Sequence, residues 1–133
     1  MSLNAFENAV LPLLAELEAS ANAADTDRHM APYMNSPSLT FVFNGEIVRG
    51  WNALHELQRQ WWRNDSIKRT YKYLGTPIIE TMGTDAGLTT FLIAARREEA
   101  DGTIVDRTLA YSALWRRLEE RWCITFAHES FGN

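Results

Sequence analysis

Apolar side chains recur at Leu3, Phe6, Val10, Leu13, Leu14, Leu17 and Ala21, the three-and-four spacing of one helical face. The spacing predicts an amphipathic helix over residues 3–21. Pro12 falls inside it, without an N–H and with its ring crowding the carbonyl of Asn8, so a kink or a later helix start is expected there. Asp25 or Asp27 is placed to cap a second, short helix carrying Met30, Tyr33 and Met34, which Pro37 ends. Leu39–Phe43, Asn44-Gly45 and Glu46–Val48 then read as a strand, a two-residue turn and a strand. From Trp51 to Trp62 the helical period returns: Trp51, Leu54, Leu57 and Trp61 form a stripe with His55 and Trp62 along its edge, and the helix stops near Asn64-Asp65.

Beyond residue 67 the pattern changes to sheet. Ile67–Thr81, Gly87–Glu99, Ile104–Leu118 and Arg121–Phe131 are rich in aromatic and β-branched residues and are joined by short turn-like links, of which residues 83–87 and Asp101-Gly102 are the clearest. Pro77 cannot donate to a ladder, so the first of these strands should bend or bulge around Gly75-Thr76-Pro77. Helices first and a meander afterwards predict an α+β fold with helices on one face of an antiparallel sheet.

With Glu119-Glu120 as a two-residue loop, Trp115 opposes Ile124, Ala113 opposes Phe126 and Tyr111 opposes His128. Alternation then puts Trp122, Ile124, Phe126 and His128 on one aromatic face with Trp115, Ala113, Tyr111 and Leu109. The other face carries Cys123, Thr125, Ala127 and Phe131 with Ala110, Ser112 and Leu114. Both faces are partly apolar and the helices can cover only one, so a homodimer through the outer sheet face is expected.

Composition narrows the partners. The 133 residues suit one domain spanning 1–133, and 46% hydrophobic with 23% charged residues is ordinary globular composition. A net charge of −4 argues against nucleic acid or an anionic membrane surface as partner. No apolar run is long enough for a transmembrane helix. A single cysteine cannot form an internal disulfide, and the start MSLNAFENAV lacks a signal peptide's basic and long apolar regions, so a cytoplasmic location is expected.

Several local signatures carry a resemblance. They are Tyr33-Met34-Asn35-Ser36-Pro37, Gly50 with Trp51 opening the third helix, Asp101-Gly102 in a hairpin, and Trp122-Cys123-Ile124 followed by His128-Glu129-Ser130. Together with the order of elements, they resemble the nuclear transport factor 2-like superfamily, and within it the SnoaL-like small proteins, over nearly the whole chain. Leu118-Glu119-Glu120 departs from the pattern, since relatives commonly have a Gly in the last hairpin. The resemblance implies a curved sheet wrapped around the long helix as a cone, often with a pocket inside and a dimer across the sheets. It spans isomerases, dehydratases, polyketide cyclases, hydrolases and assembly domains, so it does not select a reaction.

Candidate chemistry is correspondingly open. A ketosteroid-isomerase-like site would need an acidic base at the position that matches Phe41 and a tyrosine on the first helix, and this chain has neither. A scytalone-type dehydratase would need its histidines and tyrosines gathered in one cavity, and no spacing forces His29, His55 and His128 together. His128 is a candidate acid–base group because imidazole changes charge near neutrality. A bulge in the last strand before residue 129 would instead turn Glu129 inward. Tyr33, Trp51, His55, Tyr111 and Trp115 are candidates to line a pocket for an apolar or aromatic small molecule, although tryptophans on such stripes more often simply pack. No metal-ligand spacing, phosphate loop, nucleophile elbow or dinucleotide fingerprint occurs, so no metal or cofactor is expected. Arg96-Arg97 and Arg116-Arg117 read as exposed strand ends. The reading is a cone with a small-molecule pocket and no assignable reaction. Its alternatives are an isomerase-, dehydratase- or cyclase-type enzyme using His128 or Glu129, and a dimeric assembly module.

Overall fold

The computed structural model describes residues 4–63 and 66–132. Three helices, α1 (Ala5–Asn22), α2 (Thr26–Met30) and α3 (Trp51–Trp62), accompany six strands: β1 (Thr40–Phe43), β2 (Glu46–Arg49), β3 (Lys68–Met82), β4 (Ala86–Glu98), β5 (Ile104–Leu118) and β6 (Arg121–Phe131). The strands form one sheet in the order β2-β1-β6-β5-β4-β3. Every pairing is antiparallel except β1 with β6, which makes the sheet mixed. None of the described helices is long and apolar enough to cross a membrane.

The predicted helical face of α1 is the buried one, with Phe6, Val10, Leu14, Leu17 and Ala21 in the core; Leu3 lies outside the described residues. The helix starts at Ala5, capped by the Asn4 side chain, and continues through Pro12. A later start is therefore not what happens: Pro12 stands on the exposed side, where its missing donor needs no buried partner. Asp25 caps α2 by accepting from the Arg28 N–H at 3.2 Å. That helix ends at Met30, short of the predicted span, because Tyr33 and Met34 are taken by the sheet: Tyr33 forms a parallel bridge to Ile124, and the Met34 N–H donates to the Ile124 carbonyl at 2.8 Å. In α3 the buried positions are Leu54, Gln58 and Trp62, so the inward stripe is rotated from the predicted one and contains an amide. The predicted stop at Asn64-Asp65 lies outside the described residues.

Two irregularities shape the sheet. In β3 the register jumps between Leu74↔Leu92 and Ile78↔Thr90, around Gly75 at φ +64° and the donor-less Pro77, as the sequence predicts. In β6 the pairing Trp115↔Ile124 gives way to Leu114↔Phe126, leaving Thr125 as an extra residue. Glu119 and Glu120 do form the predicted two-residue turn, both with positive φ. Beyond Thr125, however, every side chain changes face relative to the uninterrupted register. Ala127, Glu129 and Phe131 point inward, whereas Phe126 and His128 point outward and are exposed.

Helix α1 is stitched along β3. Asn4 Nδ2 donates to Thr81 Oγ1 at 2.7 Å, Glu18 Oε2 accepts from the Tyr73 N–H at 2.6 Å, and the Asn22 amide both accepts from the Tyr71 N–H and donates to its carbonyl. At the N-terminal end of α1 the Phe6 ring lies on Gly87, where an added Cβ would come within 2.2 Å of it. This bare backbone lets helix and sheet close tightly at one end; toward the other end they diverge around a cavity.

Candidate functional site

Between the C-terminal half of α1, α3 and the concave face of the sheet lies a cavity of about 440 Å³, within the range of small-molecule sites. Its polar groups come from several elements. Glu129 enters from β6 through the Thr125 bulge, Tyr71 and Tyr73 from β3, Tyr111 from β5, and Tyr33 from the segment after α2; Gln58 and Trp62 face it from α3. Ile93, Leu109, Phe43 and Phe131 supply apolar wall.

Glu129 is the carboxyl that lines this cavity. Among the described residues its carboxyl has no hydrogen-bond or ion-pair partner, and burial raises its pKa from 4.5 to about 7. Desolvation penalises the carboxylate and no nearby cation or donor offsets that penalty. Near neutrality this group exists in both protonation states, as a proton-transfer catalyst requires. Gln58 is likewise buried with no side-chain partner among the described residues.

The tyrosines remain protonated. Tyr33 and Tyr111 share a hydrogen bond of 2.7 Å between their hydroxyls. Burial raises the pKa of both, as it does for Tyr73 and Tyr71, and the charge on Glu129 opposes ionisation of all four. One shared bond uses one of the two protons of the Tyr33–Tyr111 pair, so one O–H is left to donate elsewhere. Tyr71 accepts from Trp62 Nε1 at 3.1 Å and keeps its own O–H. Packing holds the rings in place: Tyr73 lies 4.6 Å from Phe91 and Phe91 5.4 Å from Tyr111, centroid to centroid.

His29 also lines the cavity, edge-on to Trp62 at 4.9 Å. Its Nδ1 lies 2.9 Å from Ser20 Oγ and 3.1 Å from the Leu17 carbonyl, which anchors the ring to α1. Burial lowers its pKa to about 4, so it is neutral at pH 7.

The sequence candidates divide. Tyr33, Tyr111 and Glu129 converge on the cavity, whereas His128, Trp51, His55 and Trp115 do not line it. His128 sits on the outer face opposite Ser112, turned there by the bulge. Trp115 is fully buried below the cavity and donates from Nε1 to Thr89 Oγ1 at 3.0 Å. Trp51 stacks on His55 at 4.8 Å and donates to the Met30 carbonyl, while His55 Nε2 meets Asp27 at 2.7 Å; together they brace α3 against α2 at the surface. Sequence reasoning did not select Tyr71, Tyr73, Gln58, Trp62 and His29 for the site. The period-two alternation of Tyr71 and Tyr73 was a usable signal for a shared face; nothing in the sequence marked the rotation of α3. No group of three or more metal-ligating side chains gathers among the described residues.

No protein-family profile and no curated protein matches the chain at the sequence level. Solved structures do. A nuclear transport factor 2-like superfamily protein from Salmonella enterica serovar Typhimurium superposes with a TM-score of 0.84 at 21% identity, over 97% of this chain and 94% of that one. A nuclear transport factor 2-like protein of unknown function from Shewanella oneidensis gives 0.81 at 21%, over 93% and 98%. A type 2 hexachlorocyclohexane dehydrochlorinase gives 0.83 at 9%, over 97% and 86%. With these superpositions and a curved mixed sheet closed over by a long N-terminal helix, the chain has the fold of the nuclear transport factor 2-like superfamily.

Proposed function

We propose that this protein binds a small, largely apolar molecule inside the cone and moves a proton on it, with Glu129 as the acid–base group. The observation that carries this reading is a partly buried carboxyl that faces the cavity without a side-chain partner among the described residues, its pKa raised by desolvation to about 7. As carboxylate, Glu129 takes a proton from a carbon next to a carbonyl. The electron pair moves onto the carbonyl oxygen, which accepts the O–H left over from the Tyr33–Tyr111 pair. Glu129, now the acid, returns the proton to a neighbouring carbon or to a departing hydroxyl. The reaction class is therefore isomerisation, elimination of water or a ring-closing proton shift.

A carbon acid of suitable size, 2-tetralone in deuterated water, tests this. Proton exchange followed by NMR should be faster with the protein than without it and should rise through an inflection near pH 7. Glu129→Gln should reduce the protein-dependent rate by about 100-fold or more, while His128→Ala leaves it unchanged. Equal exchange by wild type and Glu129→Gln would remove Glu129 from the chemistry.

For the same chain we propose a homodimer across the outer face of β4, β5 and β6. Leu92 and Phe126, 49% and 39% exposed, stand there with Leu114 and with His128, which the bulge adds to this surface. Sedimentation equilibrium of wild type against a Leu92→Glu, Phe126→Glu variant tests it: the wild type sediments as a dimer and the variant as a monomer. A monomeric wild type at micromolar concentration overturns it.

A further inference from the structure

At its exposed end the cavity has a rim of arginines. The concave face continues outward from Tyr73 and Tyr71 to Arg69 on β3, from Ile93 and Ala95 to Arg97 on β4, and from Leu109 to Arg107 on β5, and all three arginines line the cavity. Arg69 and Arg97 are directly opposite across the β3–β4 ladder, a like-charge pair that disfavours the sheet when nothing lies between. Arg97 pairs with Glu99 at 2.7 Å, and Arg96 next to it turns away to Asp106. Arg69 and Arg107 have no carboxylate partner among the described residues. The Arg107 guanidinium is held 5.1 Å over the Phe131 ring, and Phe131 is itself cavity wall. A local positive rim on a chain of net charge −4 runs against the protein's average field, and low-dielectric walls concentrate such a field at a cleft mouth.

We propose that the ligand of this cone is an apolar organic acid, entering ring or chain first, with its carboxylate held at the rim by Arg69 and Arg107. This deepens the reading above and rests on the same cavity. It supplies an orientation. Glu129 pairs with Tyr111, four residues along β5 from Arg107, about 13 Å of strand at the usual rise. The anionic head is thereby kept away from the Glu129 carboxylate, while the far end of the molecule is delivered to it.

Matched acids and primary amides separate the two ideas: 2-naphthylacetate, 4-phenylbutyrate and indole-3-propionate, each against its amide, titrated calorimetrically into the full chain. At low salt at least one acid should bind about tenfold more tightly than its amide, and the difference should shrink in about 300 mM salt. The double variant Arg69→Gln, Arg107→Gln should lose the preference for the acid while keeping the affinity for the amide. Arg116→Gln, on the outer face, should keep both. Amides binding as tightly as acids, or a double variant that still prefers acids, overturns the rim proposal and leaves the cavity reading standing. No binding by any acid or amide overturns both.

Discussion

The two ends of the cone are built from the same strands and behave as opposites. At the closed end the Phe6 ring sits on Gly87 and 4.9 Å from Trp122, and the buried Trp115 indole N–H donates to Thr89 Oγ1. At the open end, Glu129 on β6 and Gln58 on α3 border the cavity without side-chain partners among the described residues. Interiors ordinarily pair their polar groups because an unpaired one costs about 1–3 kcal/mol. The closed end follows that rule and contributes stability. At the open end the polar groups of Glu129 and Gln58 stay in contact with the cavity, where there is room for a ligand to supply partners.

The comparison can be broken most sharply at Trp115. Trp115→Ala should lower the unfolding free energy by about 3–5 kcal/mol, by removing a fully buried ring that its neighbours cannot replace; a loss under about 1 kcal/mol in urea titration would mean that the closed end is not a packed core. Glu129→Gln should act in the opposite direction. The native carboxyl titrates at about 7 instead of 4.5, so the folded state holds a proton that the unfolded state releases as pH rises through this window. Stability is therefore lost between pH 4.5 and 7, by about 3 kcal/mol at 1.36 kcal/mol per pH unit. The variant should be more stable than wild type by about that amount at pH 8 and no more stable at pH 4. His29 has the reverse sign: its depressed pKa removes stability as pH falls from 6.5 toward 4. Only the difference between wild type and variant isolates Glu129.

Smaller effects sharpen the contrast. Gly87→Ala drives a methyl into the Phe6 ring and should cost about 1–3 kcal/mol, measured by the urea midpoint, with no effect on the acid preference at the rim. Asp27→Asn, which removes an exposed partner from His55, should change stability by no more than about 0.5 kcal/mol. A larger loss would show that the surface brace between α2 and α3 supports the cone.

Element identity was legible because local pattern decides it. The three-and-four spacing of α1, the Asn44-Gly45 turn, the Trp51–Trp62 helix and the Pro77 irregularity all depend on neighbours within a few residues, and all occur. The hydrogen-bonded tyrosine pair was legible as well: Tyr33 and Tyr111 are both candidates for the pocket from the sequence, and they bond to each other. Trp51, His55 and Trp115 were attractive for the same aromatic character, but a ring serves equally well in a core or a brace, and spacing cannot say which. The face of α3 was misjudged at Gln58, since a helix turns an amide inward only where the opposite wall leaves space.

The sequence by itself determined which segments are helix and strand, and that His128 and Glu129 must face opposite ways, because alternation along a strand is a property of the local backbone. Which of the two faces the cavity was decided by one unpaired residue, Thr125, in the ladder between β5 and β6. Such a bulge belongs to the pairing of two strands and to the twist that closes the sheet around α1, and neither exists until the chain has folded.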